Sequence, residues 1–244
     1  MRITILMISI FLFSLSKTSI AFTKPHSHHL SATTRGIRSK SGSFFTRLQS
    51  GFGKKLFGKE EVDPGKVEGT DLRILKYPHP KLRNDNDIIS SFDDEIKDIA
   101  LQMLKVMYAA DGIGLAAPQV GINKRLMVFN EEGDIKATDK EMILCNPKII
   151  NKSNEQITKE EGCLSFPQIY GQVDRSSWIE IEYNNLQGDV INERLEGFPA
   201  RIFQHEYDHL DKILFIDRLY GNDKEINKKK LDKLIKKYGP GGAV

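Results

Sequence analysis

Gln204-His205-Glu206-Tyr207-Asp208-His209-Leu210 has the form HExxH. Residues four apart on an α-helix share a face, so a helix through this stretch points His205 and His209 the same way. Two imidazoles so placed can hold one transition-metal ion, and Glu206 beside them can handle protons on water. The setting suits a helix. Pro199 fits a first turn, and Phe203, Tyr207 and Leu210 recur at helical spacing as a packing face. A surface helix that merely carries two histidines and a glutamate has the same pattern. A third ligand and groups able to bind a substrate separate the two readings.

Working upstream, Trp178–Tyr183 alternates strictly between apolar and polar, as a half-buried antiparallel strand does. Asn184–Asp189 forms a turn, and Val190–Leu195 returns as the partner strand. Arg125–Asn130 and Met142–Ile150 are two further strands, joined by an acidic polar loop. A long helix begins at Ser91-Phe-Asp-Asp94, with Ser91 as N-cap and Asp94 at the capping-box position. Phe92, Ile96, Ile99, Met103 and Met107 form its buried stripe, and Asp111-Gly112 ends it. Before it, Tyr77-Pro-His-Pro80 forces a non-helical path, with His79 a turn residue. No alternating βαβ units appear. The expected fold class is α+β: antiparallel β-sheets packed around a central HExxH-bearing helix in a single domain, residues 65–222.

The overall net charge is no guide to partners, because it is unevenly spread. Residues 1–59 hold ten basic residues and no acid; the remainder holds 26 basic against 33 acidic residues, a formal −7. The basic character thus belongs to a leader and is no argument for nucleic-acid binding. Ile3–Phe13 is nearly continuous apolar sequence after Arg2, the pattern of a signal peptide over residues 1–22 and short of the ~20 residues that span a membrane. Residues 23–64 have the acid-poor composition of a transit peptide or linker, and His26, His28 and His29 read as part of it. A signal followed by a transit peptide addresses a plastid bounded by several membranes, such as an apicoplast; a mitochondrion is the alternative. No stable nucleic-acid or membrane partner is expected after processing. Asp223–Tyr238 carries seven lysines and three acids around Ile226, Leu231, Leu234 and Ile235. Within the tail 223–244 this is a solvated helix or a contact for an acidic surface.

Hydrolysis on a metal needs about three protein ligands and one open position. Cys163, in Glu161-Gly-Cys-Leu-Ser165, is the best third ligand, because a thiolate suits zinc or ferrous iron and Gly162 permits close approach. Cys145 competes, but its run Met142-Ile-Leu-Cys reads as a buried strand, where Cys packs as a small hydrophobe. Gly112-Ile-Gly-Leu-Ala-Ala-Pro-Gln119 lacks the Lys-Ser/Thr of a phosphate loop and follows a helix, so it is neither a P-loop nor a Rossmann turn. It reads as a tight loop bringing backbone and the Gln119 amide near a small substrate.

Together, GxGLAAxQ at Gly112–Gln119, EGCLS at Glu161–Ser165 and HExDH at His205–His209 resemble, in order and approximate spacing, the three signature motifs of the peptide deformylases. Leu72–Arg83 is similar too, and the resemblance covers roughly residues 72–220. It implies that Cys163, His205 and His209 hold one divalent metal, foremost Fe(2+), with Zn(2+), Co(2+) or Ni(2+) as substitutes. The implied reaction removes the N-formyl group from the initiator methionine of N-formylmethionyl nascent peptides and releases formate. Glu206 would move the proton, and Gln119 with the Leu164 N–H would stabilise the oxyanion. Gly112, Ile113 and Gly114 would bind substrate: small residues near Gly114 and Ala116 leave room for a formyl hydrogen, and Ile113 with Ile202 offers an apolar pocket. One departure stands out, since the family often carries a basic residue near the position of Tyr170. Two rivals remain: a zincin-type peptidase taking its third ligand downstream, from Asp211 or Asp217, and a non-catalytic protein that binds the organellar ribosome through the Lys-rich tail.

Overall fold

The computed structural model describes residues 64–244. The expected signal peptide and, save for Pro64, the transit segment lie outside the described residues.

The first long helix, α1 (Asp94–Ala109), is capped by Asp93, not Ser91. Asp93 Oδ1 accepts the Ile96 N–H at 3.1 Å, while Ser91 Oγ donates to Asp93 Oδ2 at 2.9 Å. The side chain next to the first helical residue is in reach of the third N–H, and its carboxylate sits at the positive end of the dipole. Ser91 supports the cap from one step outside. Ile96, Ala100, Met103, Leu104 and Met107 are buried, with Phe92 and Ile99 packed partly against them. Asp111 adopts a left-handed conformation (φ 53°), and the Gly112 N–H closes on the Met107 carbonyl at 2.9 Å, which stops the helix.

Five antiparallel strands follow in the order β1-β2-β3-β6-β7: β1 (Gly114–Ala116), β2 (Leu126–Asn130), β3 (Glu141–Lys152), β6 (Trp178–Asn184) and β7 (Val190–Glu196). The glycine-rich segment expected as a tight loop thus contributes an edge strand, and the Ala117–Val120 turn continues from it. A separate hairpin, β4 (Gln156–Cys163) and β5 (Phe166–Ser176), is absent from the sequence reading. Its inward positions Ile169, Gly171, Val173 and Arg175 alternate correctly, but a glycine and an arginine interrupt the apolar signal.

Helix α2 (Gly197–Leu210) carries the HEYDH stretch and packs against β1, β2, β5, β6 and β7. Pro199 lies in its first turn, and Ala200, Phe203 and Leu210 join Met127, Phe129, Ile179 and Ile181 in one core cluster. Full burial of such side chains contributes about 1.5–3 kcal/mol each. The last helix, α3 (Asp223–Tyr238), rests on β5 through Asn227 and Leu231. No helix among the described residues is long and apolar enough to cross a membrane.

Candidate active site

Cys163 closes β4 just before the two-residue turn Leu164-Ser165, and this brings its half-buried thiol to α2. Cys163 Sγ lies 3.3 Å from His209 Nε2. One ligand atom each from Cys163, His205 and His209 lies within 4.8 Å of the others. Cys145, by contrast, is fully buried in β3, and burial pushes its thiol up to about 11. Asp211 and Asp217 are also elsewhere: Asp211 pairs with Arg125 at 2.9 Å and Asp217 with Arg83.

The donor set fits a cation. Sulfur and nitrogen ligands at ordinary bond lengths around a tetrahedral ion sit about 3.5 Å apart, close to the Cys163–His209 separation. Glu161 Oε2 lies 2.9 Å from His205 Nδ1. A carboxylate can accept there only if Nδ1 carries the proton, which leaves Nε2 as the ligating atom. Burial raises the Glu161 pKa, but the His205 hydrogen bond and the Arg175 charge outweigh it, so the net shift is downward and the group is ionised. Burial pulls His205 down, yet hydrogen bonds to Cys163 and Glu161 and the charges of Cys163 and Glu206 raise it well above its ordinary value. Burial and then the positive charges of His205, Arg175 and Arg83 push His209 well below its own.

Glu206 is buried, and its Oε2 has no hydrogen-bond partner among the described residues. Burial lifts its carboxyl to about 7 against the lowering charges of His205 and Arg175. A cation in the neighbouring cluster acts in the same sense as those charges, favouring the carboxylate. A Cβ on Gly114 would stand 2.5 Å from Glu206 Oε1. This glycine makes room for the carboxylate. Gly112 has a similar duty, because a Cβ there would meet Leu164 Cδ1 at 2.8 Å.

Gln119 is buried in the turn after β1. Its Oε1 accepts the Ala116 N–H at 2.7 Å, which fixes the flip of the amide and sends Nε2 toward Cys163 Sγ (3.6 Å) and Ser165 Oγ (3.5 Å). The Leu164 carbonyl accepts from Lys76 Nζ at 2.7 Å. Ile113 and Ile202 share one apolar cluster, with Ile202 buried. His79 is a turn residue, its Nδ1 accepting the Lys81 N–H at 3.2 Å. Tyr170 lies over Gly162, where a Cβ would strike its ring at 2.7 Å. Glu161, Arg175, Arg201 and Asp208 have no role legible in the sequence; Glu161 meets His205, and the other three join Glu161 in a network of buried charge. Arg175 on an inward β5 position was the available signal, since a buried arginine demands partners.

The family model described as Polypeptide deformylase matches residues 71–225. The chain is 46% identical over 169 residues to peptide deformylase 1B, chloroplastic/mitochondrial, of Arabidopsis thaliana; the match covers 69% of this chain and 62% of that protein. It is 39% identical over 164 residues to a peptide deformylase of Thermotoga neapolitana, covering 67% and 96% respectively. A crystal structure of peptide deformylase from Plasmodium falciparum superposes with a TM-score of 0.68 at 41% identity, covering 70% of this chain and all of that one. A matching family model over most of the chain, with the Thermotoga and Plasmodium relatives matched nearly end to end and the plant relative over about three fifths of its length, shows that this chain belongs to the polypeptide deformylase family.

Proposed function

We propose that this protein is a metal-dependent hydrolase that removes the N-formyl group from the initiator methionine of nascent polypeptides and releases formate. The observation that carries the reading is the convergence of Cys163, His205 and His209 beside a buried, unpartnered Glu206 and an amide donor on Gln119. Its centre is the HEYDH helix, with the catalytic domain over residues 65–222.

When bound at these three ligands, a divalent cation supplies Lewis-acid polarisation of the formyl carbonyl and acidifies water. Glu206 accepts the proton of the attacking water at its free oxygen and passes it to the departing amine. The Gln119 amide and the Leu164 N–H donate to the developing oxyanion, each such donor commonly worth ~2.7–4 kcal/mol. Ile113 and Ile202 provide apolar surface for the methionine side chain, and Gly112 and Gly114 keep Leu164 and Glu206 in place around it. The family resemblance implies Fe(2+) foremost, and the thiolate–imidazole set also accepts Zn(2+), Co(2+) or Ni(2+); anaerobic metal analysis of the mature domain decides among them.

Turnover of formyl-Met-Ala-Ser tests the reaction. The parent should release formate and Glu206→Ala should not; cleavage of internal bonds in unformylated peptides would favour a peptidase instead. The engagement of Asp211 and Asp217 by arginines disfavours that rival. Residues 1–64 act in this reading as a signal plus transit peptide for a plastid or apicoplast. A fluorescent protein fused to residues 1–60 that is secreted or cytosolic would remove that assignment. The lysines of α3 offer a contact for the organellar ribosome.

A further inference from the structure

Behind the ligand cluster, three ion-paired side chains close a circuit that the proton-transfer chemistry leaves unused. Asp208 pairs with Arg175 Nη1. Arg175 Nε and Nη2 donate to Glu161 Oε1 and Oε2 at 3.1 and 3.0 Å, and Glu161 Oε2 meets His205 Nδ1 at 2.9 Å. His205 and Asp208 are three residues apart on α2, so the circuit leaves the helix at Asp208, crosses β5 and β4, and returns at His205. Arg201 Nη1 adds a bond to Glu161 Oε1 at 2.5 Å and one to the Val173 carbonyl at 3.1 Å. Arg218 covers Asp208 at 2.7 and 3.1 Å. The side chains of Glu161, Arg175 and Asp208 are only 5–7% exposed.

Taking ions out of water is costly, and packed apolar residues commonly serve stability as well or better. A buried circuit is a poor stabiliser, but it holds a distance well. The distance held here separates the hairpin that carries Cys163 from the helix that carries both histidines, with Glu161 two residues from Cys163 on the same strand. We propose that Asp208, Arg175 and Glu161 are positioning residues: they set the spacing of the thiolate against the imidazoles and lock His205 with Nε2 toward the ion. The inference rests on reading Cys163, His205 and His209 as the metal site. Only one imidazole is served this way, because His209 Nδ1 has no partner among the described residues.

The test is Co(2+) affinity of the full chain, by competition with a chromophoric chelator, together with the visible Co(2+) spectrum and the His205 nitrogen shifts of the Zn(2+)-loaded protein. Asp208→Asn, which removes no proposed ligand, should weaken Co(2+) binding about tenfold, and Glu161→Gln about 10- to 100-fold. Both should alter the spectrum and move the His205 Nδ1 resonance. Arg218→Met removes only the exposed outer partner; it keeps the question open to measurement should the buried variants not fold, and it should weaken binding a few-fold. Folded variants that lose thermal stability yet bind Co(2+) with parental affinity and spectrum would overturn the positioning role. A parent chain that binds no Co(2+), or binds it equally well as Cys163→Ala, would instead sink the metal-site reading beneath it.

Discussion

Helices α2 and α3 have similar lengths, 14 and 16 residues, and opposite relations to water. In α2, Gln204, Glu206, Asp208 and His209 are all buried, and Gln204 alone bonds both the N–H and the carbonyl of Ser176 at 3.0 Å. In α3, the lysines are exposed, Ile226 is 72% exposed, and only Asn227 and Leu231 are buried. Helical periodicity finds both equally well. What distinguishes them is desolvation, since each buried polar group must be matched by a particular partner or by the chemistry it performs. Substitutions in α2 should therefore remove function outright, and those in α3 should barely register.

The largest effect belongs to Glu206. Glu206→Ala should retain its metal by elemental analysis and lose ~10²–10⁴-fold in formyl-Met-Ala-Ser turnover; activity within tenfold of the parent would refute the base assignment. Because Gly114 has no Cβ where the Glu206 carboxylate lies, Gly114→Ala should displace that carboxylate and lower kcat without changing metal content. If Gly114→Ala keeps full kcat, the close approach has no catalytic meaning.

Metal content sharpens the comparison from the hairpin side. Cys163→Ala should bind at least tenfold less metal than the parent at equal free metal, whereas Cys145→Ala should load normally and show only a modest loss of stability from its small cavity in the core cluster that also holds Met103, Leu126 and Val128. Equal metal loss in both would mean that the thiol effect is one of folding.

How much of this could be read from the chain follows the same line. The helices at Asp94–Ala109, Gly197–Leu210 and Asp223–Tyr238 and the strands β2, β3, β6 and β7 announce themselves through unbroken periodicity or apolar runs. The hairpin β4–β5 does not, because its inward face spends positions on Gly171 and Arg175 that a core strand would give to valine or isoleucine. The arginine belongs to the site, where it partners Glu161 and Asp208, and the glycine makes room for Leu219 and Asp223. Ligand types and spacing identify Cys163, His205 and His209 as candidates, since they are local in sequence or shared with a known family. The network behind His205 draws on three elements, and no short-range pattern joins Glu161, Arg175 and Asp208 before the chain folds. Gly114 shows the limit differently: its smallness is visible in sequence, but the Glu206 carboxylate that requires it is 92 residues away.

Within α3, Leu231 is the exception that tests its attachment. Leu231 shares a core cluster with Phe166, Ile169 and Val173. Leu231→Ala should lower stability by about 2 kcal/mol, visible in chemical denaturation, with kcat on the tripeptide unchanged. A fall in kcat would mean that α3 reaches the site through β5.

The smallest effect belongs to the exposed lysines. Lys229, Lys233 and Lys236 are exposed and spaced so that they share one face. Reversing all three to glutamate removes no buried contact, so stability should stay within about 0.5 kcal/mol per site and turnover of formyl-Met-Ala-Ser should match the parent. Co-sedimentation with ribosomes is the discriminating measurement, because a surface that meets phosphate or acidic protein loses both attraction and on-rate when its sign is inverted. Parental pelleting of the triple variant would leave α3 as a solvated helix whose only duty is to cover β5. Lost pelleting with intact turnover would separate delivery of the nascent chain, carried by charge in water, from hydrolysis, carried by charge buried in α2.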